Sequence, residues 1–146
     1  MKPGVFDKIS AVAPILDKIV LQNDQILLWQ QRRDYILKDG GDKTDDAGIG
    51  NVIRRCESIQ QRYADTVFEI DNRGTARVKM MCDYIRTLGM PHVTEDIKRL
   101  LKNRMIIMGL LPVYRLRSPK QTKVITEMLG QLPTTGRDYS RYEWRD

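Results

Sequence analysis

Apolar positions in the first forty residues recur at helical spacing. Ile9, Val12, Leu16, Ile19, Asn23, Ile26, Gln30, Arg33 and Leu37 are separated by alternating threes and fours, so they share one side of a helix that turns polar in its C-terminal half. Pro14 suits the first turn of that helix, and no breaker follows it before Gly40 and Gly41. Asn23 interrupts the apolar seam. A polar residue there either fixes the register of two packed helices or faces solvent as an ordinary amide.

The stretch GGDKTDDAGIG is rich in glycine and aspartate and predicts a loop. Beyond it Ile49, Val52, Cys56, Ile59, Tyr63, Val67 and Ile70 repeat at helical spacing and predict a second long helix. Two such helices joined by a short polar loop hide each other's stripes best as an antiparallel hairpin.

Asp71-Asn72-Arg73-Gly74 reads as a turn, although the pattern leaves open whether Gly74 breaks the helix or only weakens it. Val78, Met81, Ile85 and Leu88 form the next stripe, which stops at Gly89-Met90-Pro91. Thr94 is a good N-cap, and Glu95 and Asp96 lie where a helix dipole favours negative charge. A helix is therefore expected from Glu95 to about Met108, closed by Gly109, burying Ile97, Leu100, Leu101, Met105 and Met108. LLPVYRLR alternates with period two and predicts a short extended segment. Ser118-Pro119 then opens a short helix carrying Val124, Ile125, Met128 and Leu129, which ends at Gly130.

These elements predict an all-α protein: an antiparallel long-helix hairpin with about three shorter packed helices, a short extended basic segment and a C-terminal tail. Residues 1–130 make a single helical domain and residues 131–146 an extended tail. A length of 146 residues permits one modest core, and 41% hydrophobic with 30% charged residues is ordinary for a folded chain.

Charge alters this picture because of its placement. Residues 1–50 hold seven basic and eight acidic side chains, residues 51–100 nine and seven, and residues 101–146 nine and four. Between Asp96 and Glu127 there is no acidic residue, while Lys98, Arg99, Lys102, Arg104, Arg115, Arg117, Lys120 and Lys123 all fall there. A solvated face explains a few such cations, since lysine stems cover apolar surface. Eight without an interleaved acid point to a polyanion, either a nucleic-acid phosphate backbone or an acidic protein surface. No zinc-finger spacing, RNP-type aromatic strand, KH loop or basic zipper accompanies them, so the expected contact is to phosphate rather than to bases. Tyr114, beside Arg115 and Arg117, suits packing on its own helix better than stacking on an unpaired base.

The tail interleaves Tyr139, Tyr142 and Trp144 with Arg137, Arg141 and Arg145. These residue types dominate interface hot spots, which favours docking on a neighbouring subunit over stacking on single-stranded nucleic acid or folding back. Trp29, beside Gln30, Gln31, Arg32 and Arg33, is a second candidate contact, with half-burial in a helix pair as the simpler reading.

Catalysis finds little support. His92, the only histidine, lies in Met90-Pro91-His92-Val93 just before a helix cap and reads as a loop residue. Cys56 and Cys82 lack the close-pair spacing of zinc sites and are too few for a disulfide framework. Asp45-Asp46 reads as loop chemistry, and the glycines at 40, 41, 48 and 50 lack the Gly-Lys-[Ser/Thr] ending of a phosphate loop. Neither cofactor nor metal is expected. The opening residues carry Asp7 and Lys8 where a signal peptide is apolar, and the longest apolar run, Met105–Leu111, is too short for a membrane.

The expectation is thus a non-enzymatic structural or assembly subunit of a nucleic-acid-containing particle, a ribonucleoprotein or a virion. It would lie in the cytoplasm, an organelle matrix or a virion interior, with neighbouring subunits and nucleic acid as partners and self-association possible. The alternative is a helical adaptor whose basic surface meets an acidic protein without nucleic acid.

Overall fold

The structure is a computed structural model and describes residues 4–38 and 43–115. It is all-helical, with α1 at Val5–Lys38, α2 at Lys43–Ile70, α3 at Thr75–Leu88 and α4 at Glu95–Arg115. The expected short helix from Ser118 to Gly130 and the tail from residue 131 lie outside the described residues.

Helix α1 begins well upstream of Pro14. Asp7 supplies the reason, since its carboxylate accepts the Gly4 N–H at 3.2 Å and puts negative charge in the first turn. Pro14 then falls inside the helix on an exposed position, flanked by the fully buried Val12 and Leu16. Proline removes one backbone hydrogen bond, and the packing of the opposite side holds the turn regardless.

Helix α2 likewise begins earlier than the glycine- and aspartate-rich stretch suggests. Arg33 of α1 pins its first turns, with Nη2 donating to the Asp46 carbonyl at 3.2 Å and Nε lying 2.7 Å from the Asp46 carboxylate. The guanidinium lies across Gly50, where an added Cβ would be only 2.7 Å from Arg33 Nη2. Glycine here makes room for the arginine.

Gln60 Nε2 donates to the Ile19 carbonyl at 3.2 Å, so residue 19 meets 60 while residue 33 meets 46, and numbers rise along α1 as they fall along α2. Val12, Leu16 and Ile19 join Ala64 and Val67, Met80 of α3, and Ile107, Met108, Leu111 and Tyr114 of α4 in the main core. Ile26, Ile36, Ile49, Ile53 and Cys56 form a second cluster made by α1 and α2. Gln60 and Asn23 separate the two. Asn23 is 1% exposed, and neither polar atom of its side-chain amide has a hydrogen-bond partner among the described residues.

Gly74 does break the helix: α2 ends at Ile70, Gly74 adopts φ 78°, and α3 starts at Thr75. The turn is locked by Asp71, which is fully buried. Its carboxylate accepts the N–H groups of Ala76 and Arg77 at 3.1 and 3.0 Å and the Arg77 Nε at 3.0 Å, while Arg77 Nη2 reaches the Asp71 carbonyl at 2.8 Å. Burial pushes the acid's pKa up, but these donors outweigh it and hold the carboxyl below its ordinary value of 3.8. The clamp also fixes which side of α3 faces inward. Ala76 and Met80 are buried, while Val78 and Ile85 of the expected core stripe are exposed.

Thr94 caps α4 as its sequence predicts, its Oγ1 accepting the Ile97 N–H at 3.3 Å. The helix does not close at Gly109 but runs through Pro112 to Arg115, so no extended segment forms over Leu110–Arg115. Leu111 and Tyr114, three apart, are both fully buried, whereas Pro112 is exposed. Their burial outweighs the single hydrogen bond the proline forfeits.

Candidate interaction face

The acid-free window meets acids from other parts of the chain. Arg104 reaches α1, its Nε and Nη2 donating to the two carboxylate oxygens of Asp17 at 2.9 and 2.8 Å, and Nη1 donates to the Tyr84 hydroxyl of α3 at 3.2 Å. This bidentate pair raises the arginine's pKa further above its ordinary value and ties three helices together. Arg115 lies 3.3 Å from Asp65 of α2 and 5.0 Å from the centroid of Phe68, a ring that Arg77 approaches at 4.7 Å. Arg104 is therefore a structural tie rather than a solvent-facing cation, and Tyr114, with no exposed surface, is out of reach of any base.

The early turns of α4 differ. Lys98 and Arg99 make one-turn pairs with Glu95 and Asp96 at 3.5 and 3.7 Å, and the acids in both pairs are highly exposed. Lys102 is exposed and has no ion-pair partner among the described residues. Ile97 and Leu100, expected to be buried, are exposed beside them. Arg117, Lys120 and Lys123, and Arg137, Tyr139, Arg141, Tyr142, Trp144 and Arg145 of the tail, lie outside the described residues.

Val78 is 65% exposed and Ile85 58%, with the exposed Cys82 between them at helical spacing on the outer side of α3. A shallow groove of about 350 Å³ runs alongside, lined by Gly74, Arg77, Val78, Met81, Met108 and Gly109. Sequence spacing assigns Val78, Met81 and Ile85 to a core stripe, and Arg77 enters only with the structure. The signal it offers is the excess of apolar positions on α3: Met80 and Ala76 serve one side while Val78 and Ile85 serve another.

A second cavity of about 710 Å³ is bounded by Asp65, Phe68, Glu69, Asn72 and Arg115, where Asp65 is already paired with Arg115. Among the described residues no group of three or more His, Cys, Asp or Glu side chains could hold a metal ion. His92 is exposed in the linker before α4 with φ 67°. Cys56 is buried, and burial, followed by the charge of Glu57, pushes its thiol pKa up. Among the described residues no helix is long and apolar enough to cross a membrane. Comparison of the chain with known protein families, curated proteins and solved structures returns no match.

Proposed function

We propose that this chain is a non-enzymatic assembly or adaptor subunit that works by docking on other proteins. An antiparallel α1/α2 hairpin forms its stem, and the outer side of α3, the following linker and the first turns of α4 form its contact surface. One observation carries this reading: of the nine large apolar side chains exposed among the described residues, five (Val78, Ile85, Met90, Ile97 and Leu100) fall within residues 78–100. Scattered exposed apolar residues are normal on a soluble protein, whereas a concentration on adjoining elements marks an interaction surface. The test is gradient sedimentation of the full chain from the cells that make it, beside a variant carrying Val78→Gln and Ile85→Gln. The unchanged chain should travel in a large complex and the variant as a small free species. A chain that sediments alone without any substitution defeats the reading.

A second reading, membership of a nucleic-acid-containing particle, is favoured by Lys98, Arg99 and Lys102 on the same outer turns, followed in sequence by Arg117, Lys120 and Lys123. Its phosphate contact would use these cations without Arg104. Fluorescence anisotropy with RNA and DNA probes across a salt series checks it: replacing Lys98 and Lys102 with Gln should lower the salt slope by about two. An intact chain that binds no probe at low salt removes it.

A further inference from the structure

We infer that the groove between α3 and α4 receives an acidic amphipathic helix from a partner protein. This rests on the reading of that side as a docking surface and names the chemistry of the occupant. The groove's lining combines Met81 and Met108 with Val78 and two glycines. Methionine side chains adapt to the shape of an apolar knob, which suits a recognition floor. Gly109 is exposed within α4, and a Cβ built on it meets no atom within 4 Å, so a partner's backbone can approach closely there. A helix laid along such a channel offers apolar side chains at i, i+3, i+4 and i+7.

Charge selects the partner. Residues 72–104 hold eight basic and three acidic side chains. Arg77 and Arg104 are committed to Asp71 and Asp17, which still leaves six cations against three acids. One of those acids, Asp83, is shared between Lys79 at 3.1 Å and Arg86 at 3.8 Å. Lys102 and Lys98 lie seven and eleven residues before Gly109, on the same stripe of α4, and rim the groove, so a second copy meeting this surface would set those cations against their own kind, which disfavours a self-complementary dimer. A nucleic acid would satisfy the rim but lay phosphate over an apolar floor. An acidic helix with one apolar side satisfies both.

The probe is a synthetic helix of about 18 residues, or five turns, with leucine at the i, i+3, i+4 and i+7 positions and glutamate elsewhere. Its controls are a scrambled peptide of the same composition, a lysine-for-glutamate version and a single-stranded oligonucleotide of matching charge. Binding to the full chain is followed by anisotropy and by methyl NMR. The acidic amphipathic peptide should bind saturably, shift the methyl signals of Val78, Met81, Ile85 and Met108, and weaken as salt is raised. Both control peptides should bind at least about tenfold more weakly, a difference of about 1.4 kcal/mol. Gly109→Leu should abolish binding without lowering the melting temperature, because leucine fills the groove while favouring helix more than glycine does.

Absence of saturable binding, shifts confined to other residues, unchanged binding by Gly109→Leu, or equal occupation of the same methyls by the oligonucleotide would overturn the inference. If the peptide fails while Val78→Gln with Ile85→Gln still releases the chain from its complex, the docking surface stands and the acidic helix falls. If the peptide binds and that variant stays in the complex, the groove chemistry stands and the assembly role falls.

Discussion

The two ends of α4 treat the same residue types in opposite ways. From Leu101 onward the helix places Ile107, Leu111 and Tyr114 in the core and sends Arg104 and Arg115 to carboxylates on α1 and α2. Over its first turns Ile97 and Leu100 face outward, and Lys98 and Arg99 find only local, exposed acids one turn away. The Arg104–Asp17 pair joins two part-buried groups on different helices and restrains the fold, whereas the exposed Arg115–Asp65 pair and the exposed one-turn pairs contribute little. A cation's place in a charge run therefore says less about its role than the helix that faces it.

Truncation should separate the two ends most sharply. Tyr114→Ala empties a fully buried site and should cost about 3–5 kcal/mol in chemical denaturation, while Leu100→Ala should cost less than about 1 kcal/mol. Equal losses would mean that the early turns are as packed as the late ones. Next in size is the three-helix tie. Arg104→Met should lose about 2–3 kcal/mol, since it leaves a partly sheltered Asp17 without its bidentate partner. In a double-mutant cycle with Asp17→Asn the two losses should add to far more than the double variant shows, and strict additivity would argue that the pair is not coupled.

Acid should act through the neighbouring junction. The Asp71 carboxyl is held below 3.8 in the folded chain, so its contribution is present in full above that ordinary value and drains away as pH falls through the lower, folded one. Denaturation curves from neutral pH downward should show this loss, and it should be reduced in Asp71→Asn. Between the two core clusters, Asn23→Leu should raise stability by about 1 kcal/mol, because the amide it removes is buried with no partner among the described residues. A melting temperature that drops would reveal a partner for the amide or a leucine that does not fit. Smallest of all, Lys98→Gln or Lys102→Gln should alter stability by less than about 0.5 kcal/mol while remaining visible in binding.

Much of the long-helix pair can be read from spacing alone. Val12, Leu16, Ile19 and Ile26 on α1, and Ile49, Cys56 and Val67 on α2, are buried as their periodicity predicts, and Asn23, which the sequence left open between seam and solvent, is buried with them. What the sequence hides depends on distance along the chain. Asp17 lies 87 residues from Arg104, so no local window shows that the acid-free stretch has a carboxylate waiting. The rotation of α3 is hidden for a related reason. Its apolar residues suit two different sides, and the side that turns inward is held by contacts beyond its own spacing, the Asp71 clamp on Arg77 and the Arg104 bond to Tyr84. Pro112 misleads in the opposite direction, because a local breaking tendency is overruled by the packing of Leu111 and Tyr114.

The two thiols bring a practical consequence. Cys56 is buried with its pKa pushed upward, so little thiolate forms there and alkylating reagents reach it slowly, whereas Cys82 stands exposed between Val78 and Ile85. A maleimide dye added to the folded chain should therefore attach at one place without any engineering. That place lies one turn along α3 from Val78, which lines the proposed groove, so the chain carries its own attachment point for a reporter of occupancy.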